Sequence, residues 1–302
     1  MNPFSDWGFK RIFGQEASKR LLLKFLNVLL EGERRITDLT FLDKEQTPLA
    51  IDMKGVIYDI YCKTDTGERI IVEMQNCYQR DLFMRAFYYE SYSIVNQVYK
   101  GKKGYDFSNV YVVCFMNFMM SGDKLKRFRT DFKMTDTLDH GNTLDYTHQI
   151  YLMLPLFTKE LDECETNFDK WIYALKHMET SSFAAFLQRY PEFQELADRA
   201  DPKLFTIDEL DKYVMSRKIL MDNYSVYKSA VELGEARGMA QGMEKGMAQG
   251  LEKGMEKGMA QGMAQGEAKA NVKNARAMKA KGLSLELIAE ITSLPLEEIE
   301  KL

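Results

Sequence analysis

The chain has 302 residues, enough for about two domains and a sizeable core. Its 41 Lys and Arg against 45 Asp and Glu, net charge −4, exclude a strongly polybasic nucleic-acid-coating protein and leave room only for a local basic groove. Cys62, Cys77, Cys114 and Cys164 lack CxxC spacing, which argues against a zinc site or a disulfide frame; with no leader pattern and no run of 18 apolar residues, the expectation is a soluble cytoplasmic protein with no membrane partner.

In chain order, Asp6 to Gly14 opens a helix with Asp6 as the expected N-cap, and apolar residues at Leu22, Leu23, Phe25, Leu26, Leu29 and Leu30 keep helical spacing until Gly32. Ile36–Leu42 alternates as a strand. Val56–Gln75 reads as two strands rich in β-branched and aromatic residues around Asp65-Thr66-Gly67, a three-residue hairpin loop with Gly67 in the left-handed position. Gln79 to Lys100 reads as a helix closed by Gly101. Asn109–Phe118 is an almost unbroken apolar run, as for a strand buried on both faces, and Gln149–Leu154 is a further strand before Pro155. The order is helix, three strands, helix, strand, with one strand added later: an α/β fold.

The hairpin carries the chemistry. If Thr64 pairs with Glu68, Asp59 falls across from Glu73. One face then carries Asp59, Tyr61, Ile71, Glu73 and Gln75, and the other, a core face, carries Val56, Tyr58, Ile60, Cys62, Ile70, Val72 and Met74. Two carboxylates opposed across strands repel each other unless a cation lies between them. An Asp followed fourteen positions later by Glu-x-Gln on the neighbouring strand suits a hard divalent cation, with Gln75 orienting water or substrate. The alternatives are an exposed hairpin with solvated acids, or a glycosidase pair, for which no sugar-binding aromatic cleft is evident.

From Thr158 to Ser229 the pattern is helical, including a helix begun at Asn167 and helices across Phe183–Leu196 broken at Pro191. His140, His148 and His177 are scattered, which argues against histidine-based hydrolysis or zinc catalysis. Glycine then falls at every fourth position from Gly234 to Gly266, in tetrads of Gly-Met-Ala-Gln and Gly-Met-Glu-Lys. Nine interior glycines cost a helix about 9 kcal/mol against alanine. The Met column drifts about 40° per tetrad, so no fixed left-handed seam exists. A marginally helical linker and a self-associating rod are the two readings, the first preferred. Val272–Lys281, Leu285–Ile291 and Leu296–Leu302 form short helices around Gly282 and Pro295; Glu297, Glu298 and Glu300 do not suit a DNA-reading helix, so a helical hairpin that packs or docks is expected.

Asp6-x-x-Phe9-Lys10-x-x-Phe13-Gly14, Asp59-Ile60, Gly67, Val72-Glu73-Met74-Gln75, Arg85-Ala86-Phe87-Tyr88-Tyr89 and Gly104-x-x-Phe107, with Gln149–Phe157, Trp171 and the glycine-periodic tail, resemble the Rpn family of recombination-promoting nucleases and transposases, within the PD-(D/E)XK superfamily. The resemblance implies an αβββαβ core with a mixed sheet, a Mg²⁺- or Mn²⁺-dependent DNA endonuclease, and a link to recombination or mobile elements. It places Asp59 and Glu73 as metal ligands and Gln75 where lysine is usual, and Pro155-Leu156-Phe157 lacks the lysine often found before that Phe. Arg85 and Tyr89 are candidates for contacting substrate, with a structural salt bridge the alternative for Arg85. Expected divisions are 1–157 nuclease-like core, 158–230 helical extension, 231–270 tetrad repeat and 271–302 helical hairpin, with a homo-oligomer through the repeat as the alternative to a linker. The competing function is a catalytically weak DNA-binding or scaffold protein.

Overall fold

Residues 1–48, 52, 54–99, 101, 104–120 and 126–302 are described by a computed structural model and fall into two units, Met1–Lys228 and Ser229–Leu302. The first unit is mixed α/β. Its strands are β1 (Leu39–Phe41), β2 (Glu45–Gln46), β3 (Val56–Ile57), β4 (Ile60–Thr64), β5 (Arg69–Gln75), β6 (Val110–Met116), β7 (Arg129–Thr135) and β8 (Thr143–Met153). Six of them form one sheet in the order β1-β4-β5-β6-β8-β7, and β2 pairs only with β3. Strands β5, β6 and β8 run parallel, while β1, β4 and β7 run antiparallel to their neighbours. All seven residues of β6 are buried, which is why this central strand reads as a continuous apolar run.

Helices α1 (Asp6–Phe13) and α2 (Lys19–Leu29) cover one face of the sheet, and α3 (Leu82–Val95) covers the other. The later helices α4 (Asn167–His177), α5 (Ser182–Arg189) and α6 (Gln194–Ala200) join the first face, where Phe9, Phe13, Phe25, Phe115 and Trp171 form a web of ring contacts. Helix α1 is capped by Ser5, whose Oγ accepts from Gly8 N at 3.1 Å, so Asp6 is the first helical residue and not the cap. Gly8 is needed there because a Cβ would lie 2.2 Å from the carbonyl oxygen of Asn2.

The hairpin register is the one its turn dictates. Thr64 N donates to Glu68 O at 2.9 Å, Gly67 has φ +100°, and the ladder runs Ile60↔Val72 to Lys63↔Arg69. The first hairpin strand, however, is not continuous: Val56–Ile57 pair with β2, Tyr58 N donates to Lys44 O, and β4 begins at Ile60. That break changes parity. Ile60, Cys62, Ile70, Val72 and Met74 face α1 and α2 as expected, but Val56 and Tyr58 lie with Tyr61 and Ile71 against α3. The face that carries the acids is therefore a second core face.

Strand β7 and the first half of β8 escaped the sequence pattern because most of their side chains are exposed or half-buried and do not alternate cleanly. Helix α3 spans Leu82–Val95, shorter at both ends than the Gln79–Lys100 the spacing suggested, and Lys100 itself lies outside the described residues. His148 is buried beside Glu33, His177 stacks on Tyr173, and His140 is exposed.

A long helix, α7 (Ile207–Ala280), contains every glycine tetrad. Its Met column, Met239 to Met263 with Leu251, is exposed throughout. No separate helix begins at Val272; α7 runs on to Ala280 because Ala, Lys and Met there are all good helix formers. In the second unit, α8 (Leu285–Thr292) and α9 (Leu296–Glu300) pack on the end of α7 around Ala275, Ile288 and Ile299, with Lys279 Nζ donating to the carbonyls of Ile299 and Glu300.

Candidate active site

The interruption before β4 is what builds the site. Had the ladder continued, Met74 N would have bonded Tyr58, two residues beyond the pair Ile60↔Val72. Tyr58 instead turns to Lys44, and the freed Met74 N–H donates to Asp59 Oδ2 at 2.9 Å. In return Asp59 N donates to Glu73 Oε1 at 3.1 Å. Each carboxylate is thus tied to a backbone N–H of the opposing segment. Continuing the register by one step puts Asp59 level with Glu73, at a pair without ladder hydrogen bonds, where side chains sit closest.

Gln75, two residues further along the same face of β5, donates from Nε2 to Glu73 Oε2 at 3.4 Å. Helix α3 brings Arg85 to the same side. Its guanidinium lies 5.9 Å from the centre of the Tyr89 ring and donates to Gln79, and its charge acts on Glu73. Tyr89 sits close enough that burial first, and the Glu73 charge next, raise its phenol pKa. The five residues singled out from the sequence, Asp59, Glu73, Gln75, Arg85 and Tyr89, thus share one neighbourhood.

Glu73 is 6 % exposed, and burial followed by the neighbouring Asp59 charge pushes its carboxyl up to about 8. Burial also raises Asp59, against the opposing pull of the Met74 N–H and of Lys10. Lys10 was not singled out by the sequence reading as a site residue. It reaches in from α1, with Nζ 3.5 Å from Asp59 Oδ1, and its other partner is Asp6 one turn earlier. No spacing rule links position 10 to position 59; only the docking of α1 does. Asn76 and Asn117 were missed in the same way: Asn76 Nδ2 holds the carbonyl of Phe4 at 2.6 Å, and Asn117 Nδ2 bonds Asn76 at 3.2 Å.

Residues 3–230 match the family described as PD-(D/E)XK nuclease family transposase. The chain belongs to that family. No curated protein and no solved structure gives a significant match. The family match ends before Gly234, the first of the periodic glycines, so it rests on the first unit and a few residues beyond it. For a nuclease-type transposase of this class, the donor chemistry of the Asp59–Glu73 corner fits a divalent metal: hard carboxylate oxygens, crowded together, with burial leaving their negative charge poorly compensated. One group of three metal-capable side chains occurs among the described residues, Glu33, Asp131 and His148. Each acid there already has a cation, Lys133 at 2.9 Å from Glu33 and Arg129 at 3.0 Å from Asp131. No helix among the described residues is long and apolar enough to cross a membrane.

Proposed function

We propose that this protein is a divalent-metal-dependent DNA endonuclease that cuts phosphodiester bonds in recombination or mobile-element movement, acting in the cytoplasm. The observation that carries this reading is the pair of interlaced, partly desolvated carboxylates, Asp59 and Glu73, in a chain of the PD-(D/E)XK nuclease family. We read α1, β1, β4, β5, α3 and β6 as an αβββαβ nuclease core within residues 1–157, extended by helices over 158–230. The tetrads 231–270 serve as a linker to the helical hairpin 271–302.

Asp59 and Glu73 would hold Mg²⁺ or Mn²⁺, which when bound lowers the pKa of water and offsets charge on the phosphoryl group. Gln75 holds the attacking water through its amide. Arg85 and Tyr89 contact the phosphate and fix the strand against α3. The water oxygen bonds to phosphorus as the bond from phosphorus to the departing sugar oxygen breaks. One water proton passes to solvent and the departing oxygen takes one up, leaving a phosphomonoester and a hydroxyl.

The test is nicking of supercoiled plasmid by wild type and by Glu73→Gln, with Mg²⁺, with Mn²⁺ and with EDTA. Metal-dependent nicking that Glu73→Gln loses supports the reading. DNA binding with no nicking under any metal replaces it with a DNA-binding or scaffold role, for which the uncharged Gln75 is the favouring observation.

A further inference from the structure

We infer that Lys10 is a catalytic residue of this site: its ammonium, delivered from α1, meets the phosphate from the Asp59 side, opposite Arg85, with a positive charge that Gln75 cannot supply. The inference rests on the endonuclease reading. It starts from a count of charges. Asp59, Glu73 and Asp6 bring three carboxylates to the mouth of the site; Arg85, turned toward Gln79 and Tyr89, acts on Glu73 from α3, and Gln75, the polar side chain nearest Glu73 on β5, is neutral. An amide orients water but lends no charge to a phosphoryl group that gains negative charge as it is attacked. Among the described residues, Lys10 Nζ is the cation within 4 Å of either acid, at 3.5 Å from Asp59 Oδ1, the oxygen that the Met74 N–H leaves open.

Its placement is held from several directions. Phe9, Ile12 and Phe13 anchor α1 in the core on either side of Lys10. Asn76, directly after Gln75, grips the carbonyl of Phe4 and so ties the entry of α1 to the end of β5. Asp6 holds the ammonium one helical turn back. The side chain is nevertheless 29 % exposed, so it can meet a ligand arriving from solvent. A buried strut between helix and strand would need no such opening. With Asp59 engaged as a metal ligand, Lys10 would lose that partner, and its ammonium would face the incoming phosphate as a hydrogen-bond donor. It stays protonated throughout: it stabilises charge and transfers no proton.

This role makes a prediction that a structural ion pair does not. In the absence of DNA, Lys10 and the metal compete for Asp59, so removing Lys10 tightens metal binding while slowing cutting. A strut that merely holds Asp59 in place would, when removed, loosen the metal and slow cutting together.

The experiment uses the full chain in four forms, wild type, Lys10→Met, Lys10→Arg and Lys10→Met/Gln75→Lys, each checked by thermal melt. Mn²⁺ affinity is measured calorimetrically without DNA, and nicking of a plasmid is timed at saturating metal. Expected are about a 100-fold slower cut by Lys10→Met, a metal Kd roughly fivefold tighter, and recovery of about tenfold in rate when Gln75→Lys returns the charge from β5. Lys10→Arg, which keeps both ion pairs, keeps the wild-type metal Kd and most of the rate, and carries the test should Lys10→Met not fold. Wild-type cutting by Lys10→Met, weakened metal binding, no rescue in the double variant, or Lys10→Arg with a shifted metal Kd or little of the rate each overturns the inference. If Glu73→Gln is inactive while Lys10→Met cuts normally, only the role of Lys10 fails; if wild type itself does not cut, the endonuclease reading fails and takes this inference with it.

Discussion

Two gatherings of acids sit in the same unit, on opposite terms with their surroundings. Around Glu33, Asp131 and His148, each carboxylate has an ammonium or guanidinium of its own, from Lys133 or Arg129. Partial burial works against Glu33, yet the Lys133 hydrogen bond and the His148 and Lys133 charges hold its carboxyl below the usual range. Around Asp59 and Glu73, burial dominates and both carboxyls are raised. The difference lies in which elements supply the neighbours. Strand β7 crosses the first cluster with its own basic side chains, whereas the second is closed in by the sheet and α3, with Lys10 reaching Asp59 from α1 and the Arg85 charge acting on Glu73 without a salt bridge between them. A compensated cluster stabilises the free protein; an under-compensated one costs stability until a ligand arrives. Proximity of acids alone therefore does not set the two clusters apart; how far each carboxylate is paired or buried does.

Neutralising one acid in each cluster should break the comparison most sharply. Glu73→Gln is expected to lower plasmid nicking by about 10³-fold, and Glu33→Gln to leave it unchanged. Equal loss in both would mean that the cutting site has been misplaced. The same pair should move metal-free stability in opposite directions. Glu73→Gln raises it at pH 7 by about 1–3 kcal/mol, since a carboxyl near 8 must otherwise be charged or protonated at a cost. Glu33→Gln lowers it by roughly 0.5 kcal/mol, the scale of a partly exposed ion pair. Urea titrations in EDTA measure both.

Metal should then offset that difference. Mg²⁺ at about 100 times its Kd adds roughly 2.7 kcal/mol to wild type, a rise in Tm of about 5–10 °C, and nothing to Glu73→Gln. A wild-type melt insensitive to Mg²⁺ and Mn²⁺ would remove the metal from this corner.

The pH dependence sharpens the contrast further. Glu73 is raised to about 8 by burial and then by Asp59, and Glu90, buried on α3 and bonded to Gln149 at 2.6 Å, is raised by burial to about 7. A carboxyl raised on folding contributes stability that is complete below its unfolded value near 4.5 and is lost as pH climbs through the folded value. The metal-free protein should therefore melt progressively lower between pH 5 and about 9, and Glu73→Gln should flatten part of that slope. Glu33 acts the other way, its contribution failing only as pH falls below about 4.5. The smallest effect is expected from the second unit: a chain ending at Lys228 should cut at the wild-type rate, because every residue proposed for the site lies within Met1–Lys228.

How much of this was legible in the sequence depended on range. The turn at Asp65–Gly67 fixes the pairing of β4 with β5 locally, so the alignment of Asp59 with Glu73 could be counted out by hand. The break at Tyr58–Asp59 could not, because it comes from Lys44 and β2 competing for the same backbone, and neither has a pattern of its own. Strand β7 was invisible because its side chains are mostly wet. Lys10 escaped for a third reason: it reaches Asp59 only through the packing of α1, a contact that no local periodicity encodes.

The turn itself has a consequence for length variation. Surface loops usually absorb insertions and deletions freely, and Asp65-Thr66-Gly67 lies well away from the acids it aligns. It is pinned by Thr37, whose backbone and hydroxyl bond Asp65, and by Thr64 and Thr66, which both bond Glu68. One residue added or removed here would shift β5 past β4 by a single step and turn Glu73 to the opposite face of the sheet. A change of two would keep the face but set Asp59 opposite a different residue. This exposed triplet should therefore be as fixed in length as the carboxylates are in identity, and chimeras that exchange the hairpin should preserve its count before they preserve its composition.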